Sequence, residues 1–271
     1  MRGSSHPRPR YWFGCLWGVS LLGVMVLYAC QKAPVTGRQQ LILVSASEEN
    51  QMGVTAYQQV LREERISTDQ RTNALVTKVG QRIAAVADRP DFDWEFRVID
   101  KNVANAFALP GGKVAVYTGI LPYTQTEDGL AVVMGHEVAH ALARHGAERM
   151  SQTLLTQVGL TAVQVGLRTS DPAIMQGIGL AYGVGVELPF NRQQESEADH
   201  IGLILMAKAG YDPRAAMPFW QRMAAGQGQG SPEFLSTHPS GETRLQQLQE
   251  WMPEALRYYQ AGSKRQRRQA S

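Results

Sequence analysis

Two histidines four positions apart, with a glutamate directly after the first, are the side chains of this sequence best suited to chemistry. They form the segment His136-Glu137-Val138-Ala139-His140. Four residues advance a helix by about 400°, so both imidazoles share one face and can bind one zinc ion. Zinc lowers the pKa of a bound water to about 7, and Glu137 can accept the proton of that water as it attacks a peptide carbonyl. The alternative is a surface helix that carries two unrelated histidines.

The acidic segment Glu195-Ser196-Glu197-Ala198-Asp199 is the expected source of a third zinc ligand. Catalytic zinc normally has three protein ligands and one open position. On a helix, Glu195 and Asp199 fall on one face, and Glu197 points nearly the opposite way. We therefore predict that Glu195 binds the metal and that Asp199 orients an imidazole of the histidine pair. The alternative is a solvated acidic helix.

A helix and a small sheet are predicted to position these residues. Thr126, followed by two acidic residues, is a helix start, and the helical pattern continues to about Met150. Residues 94–98 alternate apolar and polar side chains, as in a half-buried strand. Residues 103–109 and 113–118 flank a Pro-Gly-Gly turn and predict a hairpin. The fold class is therefore α+β and mainly helical, with a small sheet beside the histidine-bearing helix and a cleft between them.

The N-terminus has the order of residues that is typical of a secretory signal. Three arginines precede a 17-residue, mostly apolar run at residues 11–27. The segment that ends this run, Leu27-Tyr28-Ala29-Cys30, resembles a bacterial lipobox, which implies that Cys30 is acylated and becomes the new N-terminus. Gln31, rather than an aspartate, follows the cysteine and favours the outer membrane. The alternative is an uncleaved membrane-spanning helix, since about 17 residues is near the lower limit for crossing a bilayer.

These features predict a location and a division of the chain. The location is the periplasmic face of the outer membrane, held by lipid, with an inner-membrane anchor facing the periplasm as the alternative. The division is a signal peptide at 1–29, a lipidated N-terminus and tether at 30–44, a metallopeptidase domain at 45–260 and a basic, disordered tail at 261–271.

Charge and cysteine content exclude two classes of protein. The formal charge is +3, from 27 basic and 24 acidic residues, and three of the arginines precede Cys30. Because the rest of the chain is neutral, there is no electrostatic case for nucleic-acid binding. The only cysteines are Cys15 and Cys30, so no disulfide framework holds the main domain together.

In combination, these motifs resemble the HtpX-like and CAAX-prenyl-protease-like zinc metallopeptidases, and residues 30–44 resemble their periplasmic lipoprotein branch. The motifs that carry the resemblance are Asn105–Gly112, His136–His140, Glu195–Asp199, and Thr237-His238-Pro239 followed by Arg244. The resemblance implies a zincin-like metallopeptidase domain and a zinc endopeptidase with one Zn²⁺ per chain and Glu137 as the general base.

The resemblance also implies how substrate is held. The residues that resemble the start of a substrate-binding edge strand are Asn105, Ala106 and Phe107. A substrate would add to such an edge as an extra strand, through main-chain hydrogen bonds that tolerate many sequences. An internal hairpin would give the same sequence pattern. Arg244 is expected either to line the same cleft or to form a surface ion pair.

Three further histidines receive separate interpretations. His238 resembles a residue that, in lipoprotein relatives, can occupy the open metal position and keep the enzyme latent. A histidine in a loop before a proline is, alternatively, structural. His145 and His200 are interpreted as structural residues.

Three functions compete. The leading one is an endopeptidase for quality control in the bacterial cell envelope, which hydrolyses misfolded or stalled envelope proteins and has the outer-membrane assembly machinery as a candidate partner. The second is a chaperone-like or assembly-associated binding lipoprotein with rare or latent cleavage, against which Glu137 argues because a binder needs no general base. The third is a structural zinc site, against which two histidines and one carboxylate argue because they leave a position open.

Overall fold

The computed structural model describes residues 30–167, 188–226, 233–238 and 243–270. The strands are β1 (Cys30–Lys32), β2 (Gln39–Leu41), β3 (Glu95–Ile99), β4 (Ala106–Leu109) and β5 (Lys113–Tyr117). The helices are α1 (Ala46–Glu63), α2 (Gln70–Ala84), α3 (Leu121–Thr124), α4 (Glu127–Leu142), α5 (His145–Leu167), α6 (Leu188–Lys208), α7 (Ala216–Ala225), α8 (Glu233–Thr237) and α9 (Arg244–Ala270), with short 3-10 helices at Thr118–Ile120 and Pro213–Ala215. The mainly helical α+β fold predicted from the sequence is confirmed.

The predicted boundaries at the two ends of the chain can be compared with the described residues. The predicted signal peptide at 1–29 lies outside the described residues. The sequence predicts a disordered tail from residue 261, whereas α9 continues as a helix to Ala270. Within the described part of the chain, no helix is both long enough and apolar enough to cross a membrane.

A three-stranded sheet places β4 at an edge, with the strand order β3-β5-β4. β3 pairs with β5 in parallel, and β4 pairs with β5 in antiparallel register, with Phe107 opposite Ala115. Gly111 and Gly112, in the turn between β4 and β5, both have a φ of 83°, which a residue with a side chain adopts only with strain. The predicted hairpin is therefore confirmed, and among the described residues β4 pairs on one side only.

Helix α4, which carries the histidine pair, runs through the middle of the core. Thr126 accepts a hydrogen bond from the amide of Gly129 and begins the helix at the predicted place. Every residue from Gly129 to Ala139 is buried, because α2, α6 and β4 pack around the helix. A helix buried on all faces is held in position by the whole core.

Two glycines allow α4 and α6 to approach closely. A Cβ atom on Gly135 would lie 2.9 Å from the carbonyl oxygen of Gly202, and one on Gly202 would lie 2.8 Å from the backbone nitrogen of His136. Because the interior is close-packed, a side chain at either position would push the two helices apart. The glycines therefore let the carboxylates of α6 reach the histidines of α4.

The predicted continuous helix from Thr126 to Met150 is wrong. α4 ends at Leu142 and α5 begins at His145. Between them Arg144 has a φ of 58°, a left-handed conformation that costs a non-glycine residue roughly 1–2 kcal/mol. The bend changes the direction of the chain directly after the histidine pair, and long-range contacts of the Arg144 side chain hold it in place.

The predicted tether at 30–44 packs against the domain. β1 and β2 pair in antiparallel orientation, and we call Cys30–Leu41 the N-terminal hairpin. Arg144 donates hydrogen bonds to Oε1 of Gln31 at 2.8 Å and to the carbonyl oxygen of Val44 at 2.9 Å. The bend after α4 and the N-terminal segment therefore hold each other in place.

Candidate active site

Four side chains bring metal-binding atoms together beside α4. One ring nitrogen from each of His136, His140 and His238 and one carboxylate oxygen of Glu195 all lie within 4.8 Å of one another. Nε2 of His136 lies 3.1 Å from Nε2 of His140 and 3.4 Å from Oε2 of Glu195. Imidazole nitrogen and carboxylate oxygen are the donors of hydrolytic zinc sites. The arrangement therefore fits a zinc ion and contains the three residues predicted as ligands.

The charges around these four donors favour a cation. Burial raises the pKa of the Glu195 carboxyl, but hydrogen bonds from His136, His140 and His238 hold it far below its usual range. Burial lowers the pKa of His136, but Asp199 and Glu195 outweigh burial and raise it to about 10. Burial also lowers the pKa of His140 well below its usual value, so this imidazole is neutral, as a metal ligand must be. Asp199 and Glu195 stabilise a positive charge on His136, and the same two carboxylates would attract a metal cation in place of that proton.

Asp199 and Arg244 lie directly behind the donors. Nδ1 of His136 lies 2.9 Å from Oδ1 of Asp199, so Nε2 of the same ring faces the other donors. Arg244 donates from Nε to Oδ2 of Asp199 at 2.6 Å and from Nη2 to Oε2 of Glu195 at 3.0 Å. The Arg244 guanidinium also lies 3.8 Å from the centre of the Trp220 ring. Arg244 is therefore a buried clamp on both carboxylates, and the predicted alternative of a surface ion pair is wrong.

His145 contacts the second histidine of the pair. Nδ1 of His145 lies 2.8 Å from Nδ1 of His140, and its Nε2 lies 3.0 Å from Oε2 of Glu197. His145 and Glu197 are both buried. The sequence interpretation missed this contact, because a continuous helix would turn His145 away from His140. Only the left-handed residue Arg144 brings the two rings together.

Glu137 is buried between the donors and β4. Burial raises the pKa of its carboxyl, opposed by His238, His136 and a hydrogen bond from the amide of Ala108. Oε1 of Glu137 lies 3.3 Å from Nε2 of His238 without hydrogen-bond geometry, and it has no hydrogen-bond partner among the described residues. A buried carboxylate oxygen without a partner, with its pKa raised, can accept a proton from a reacting group.

His238 follows α8 and supplies the fourth donor. Its Nδ1 lies 3.2 Å from Nε2 of His136 and 3.1 Å from Oε1 of Glu195. Phe234 stacks on the His238 ring, with centroids 4.6 Å apart. The amide of Phe234 donates to the carbonyl oxygen of Ala104 at 2.9 Å, just before β4. The α8 segment therefore holds His238 in contact with the donors and next to Glu137.

The edge strand β4 runs beside the site and contains two of the predicted substrate-strand residues, Ala106 and Phe107. The amide of Ala106 donates to Oδ1 of Asn105 at 2.8 Å, and the amide of Ala108 donates to Glu137. Alternate residues of an antiparallel strand direct their amides to the same side. The amides of Ala106 and Ala108 therefore point away from β5, whereas that of Phe107 points toward β5.

Two remaining residues of the sequence analysis have other surroundings. The His200 ring stacks on Trp251, with centroids 4.5 Å apart, and its Nε2 lies 3.1 Å from Oε2 of Glu254. His200 therefore packs between α6 and α9. Cys30 is exposed in β1, and its acylation stays a prediction of the sequence.

The helical fold and the donors gathered around Glu137 define the class of this protein. It is a zinc metallopeptidase whose metal is held by a helix with the HExxH pattern, here His136 to His140. The family model described as Peptidase family M48 matches residues 70–252. The chain therefore belongs to peptidase family M48, and it is a zinc-dependent metalloendopeptidase.

Named relatives agree with this family. The chain is 39% identical over 262 residues to the mitochondrial metalloendopeptidase OMA1 of Schizosaccharomyces pombe, which covers 93% of this chain and 76% of the relative. It is 33% identical over 251 residues to the Saccharomyces cerevisiae protein of the same name, with 84% and 71% covered. A putative beta-barrel assembly-enhancing protease of Vibrio cholerae is 34% identical over 200 residues, with 70% of this chain and 41% of the relative covered.

The predicted location on the periplasmic face of the outer membrane, with its inner-membrane alternative, is wrong. Relatives that match most of the chain, such as the fungal ones, are mitochondrial by name. The sequence pattern misled because arginines without acidic residues, near an N-terminus, occur in both secretory and mitochondrial targeting segments. The comparisons confirm the M48 family but not the narrower HtpX-like lipoprotein branch.

Proposed function

We propose that this metalloendopeptidase cleaves unfolded or misassembled proteins, with zinc on His136, His140 and Glu195 and with Glu137 as the general base. The observation that carries the proposal is the convergence of the donor atoms within 4.8 Å beside a buried carboxylate and an edge strand. Zinc, when bound, supplies the positive charge that activates a water and polarises the scissile carbonyl. Glu137 accepts the proton of that water at Oε1 and returns it to the leaving amine.

The edge strand β4 supports the choice of substrate class. The amides of Ala106 and Ala108 point toward the open side of the sheet, where the side chains of Asn105 and Glu137 accept their hydrogen bonds. An extended segment that takes the place of these two side chains can pair with this edge through its main chain. Main-chain pairing tolerates many sequences but requires a segment that has left its own fold. The substrates are therefore selected by being unfolded more than by their side chains.

A comparison of one substrate in two states tests this selection. A small protein should be cut more than about 100-fold faster when permanently unfolded than when native, because a native domain opens only rarely. The measurement is the initial rate of fragment formation by zinc-loaded protein, with a chelator-treated sample as the control. Equal rates on both states would contradict selection by unfolding.

The names of two relatives support a narrower class of substrates. The Yersinia pestis relative is named as a beta-barrel assembly-enhancing protease, and the Vibrio cholerae relative as a putative one. On this basis the proposal includes proteins whose assembly has stalled, which is a quality-control role. An association with assembly machinery stays a prediction of the sequence.

His238 supports a latent form of the enzyme. The ring is one of the four donor groups, with Nδ1 next to His136 and Glu195, and its Nε2 lies 3.3 Å from Oε1 of Glu137. In this position the imidazole fills the place of a fourth zinc ligand and crowds the general base. The same observation favours the second candidate function, a binding protein with rare cleavage, if His238 never leaves.

Replacing His238 with alanine is expected to raise the cleavage rate about tenfold or more. The reason is that a latent enzyme of which only about 10% is competent gains that factor when the blocking state is removed. The measurement is cleavage of an unfolded protein at equal zinc occupancy. His200→Ala is the matched control, because His200 lies on another face of α6 and packs against Trp251 of α9. An unchanged or lower rate for His238→Ala would contradict latency through this residue.

A further inference from the structure

Arg38 of the N-terminal hairpin joins two buried carboxylates. Its Nε donates to Oε2 of Glu197 at 2.7 Å, and its Nη1 and Nη2 donate to the two oxygens of Glu148 at 2.7 Å each. The Glu148 and Glu197 side chains are only 1% and 3% exposed. The hydroxyl of Thr36, also in the hairpin, donates to Oε1 of Glu197. The hairpin therefore supplies the charge that two acidic residues of the domain interior require.

Glu197 leads directly to a residue of the zinc site. When Nε2 of His140 binds a metal, Nδ1 carries the ring proton and donates to Nδ1 of His145. His145 then carries its own proton on Nε2 and donates it to Oε2 of Glu197. In this series of hydrogen bonds each imidazole donates from one nitrogen only. The position of Glu197 therefore fixes the rotation of the His145 ring and, through it, that of the His140 ring.

The two histidines of the pair are thus supported in parallel ways. His136 is bonded to Asp199, a carboxylate that Arg244 of α9 holds at 2.6 Å. The His140 ring reaches a carboxylate one histidine further away, and there the arginine comes from the N-terminal hairpin. In zinc proteins such outer partners of a ligand tune the metal affinity.

We propose that Arg38 is a positioning residue for zinc, which acts through Glu197 and His145 on His140, so that docking of the N-terminal hairpin is required for tight metal binding. This inference rests on the proposed role of His140 as a zinc ligand.

The contacts of the hairpin make this coupling specific. Arg144, whose left-handed conformation turns His145 toward His140, also donates to Gln31 of the hairpin. Without Arg38, two buried carboxylates lie close to one another with no cation between them, and they must turn outward or take up water. The bond from Glu197 to His145 is then lost or weakened, and the His140 ring loses its fixed orientation.

The direct test is the zinc dissociation constant of the full chain, measured by competition with a chromophoric chelator. Arg38→Gln is expected to weaken zinc binding by about 10–100-fold, because it releases His145, and loss of such an outer partner of a ligand has an effect of this size. Arg97→Gln is the matched control, because Arg97 forms an exposed pair with Glu95 at 2.9 Å. An Arg38→Gln protein that is folded and binds zinc as the parent does would overturn the proposal.

A double-mutant cycle separates positioning from a general loss of stability. If Arg38 acts through His145, the variant with both Arg38→Gln and His145→Gln should bind zinc no more weakly than His145→Gln alone. Additive losses would overturn the proposal. If Arg38→Gln does not fold, Arg38→Lys takes its place. Lysine keeps the positive charge, but it lacks the planar guanidinium that donates to both carboxylates at once. Thermal unfolding in chelator shows which variant is folded.

The ligand assignment is checked in the same assay. His140→Ala should weaken zinc binding at least as much as Arg38→Gln does. If His140→Ala leaves the dissociation constant unchanged, the assignment of His140 fails and the proposal for Arg38 falls with it. If His140→Ala weakens binding and Arg38→Gln does not, only the proposal for Arg38 fails.

Discussion

Replacing Glu137 with glutamine is expected to lower kcat/KM for an unfolded substrate by about 10²–10⁴-fold, the usual contribution of a general base. Glutamine has nearly the same shape but cannot accept the proton of the attacking water. Zinc binding should stay close to that of the parent protein, because Glu137 is not among the four converging donors. The measurements are initial cleavage rates and zinc content on the same preparations.

The matched control for this prediction is Glu63→Gln. Glu63 ends α1 and accepts a hydrogen bond from Gln59 on the protein surface, which glutamine can also accept. Equal cleavage by the parent and by Glu137→Gln would show that another group takes the proton or that a contaminant cuts. Loss of zinc from Glu137→Gln would mean that the carboxylate holds the metal.

Replacing Glu195 with glutamine is expected to raise the zinc dissociation constant at least about 100-fold. Changes to outer partners alone cost 10–100-fold, and a lost ligand costs no less. The change also removes the negative charge that faces three histidines and Arg244, so a cation is less well held. Competition with a chelator gives the constant, and cleavage should fall with zinc occupancy.

The control for Glu195 is Glu254→Gln, which alters a partly buried carboxylate next to His200 on the α9 side. His238 can partly replace the lost ligand, so His238→Ala combined with Glu195→Gln should bind zinc more weakly than either single variant. If Glu195→Gln binds zinc like the parent, the third ligand is not Glu195, and the histidines alone hold the metal.

Local rules explain why the sequence predicts the centre of the site. The four-residue spacing of His136 and His140 puts both rings on one helix face in any fold that keeps the helix. The same spacing puts Glu195 and Asp199 on one face of α6. Thr126 and the glycine turn after β4 start and end their elements through hydrogen bonds and φ values within a few residues. Such features need no tertiary contact to be predicted.

The cellular location of the protein could not be predicted from its N-terminal segment in this way. Residue order near Cys30 fits more than one kind of targeting segment, and composition does not distinguish them. The relatives that match most of the chain corrected the location, because they are compared over the whole domain.

The sequence by itself determined the metal chemistry, because the donors that define it repeat at helical spacing within two short segments. Only the tertiary structure decided what surrounds them. The close approach of α4 and α6 depends on Gly135 meeting Gly202 across 67 positions of sequence. The series of hydrogen bonds from His140 to Arg38 depends on the left-handed conformation of Arg144 and on a hairpin about 100 positions away in the sequence. No local pattern encodes these contacts, since each is set by packing between segments that are distant in the chain.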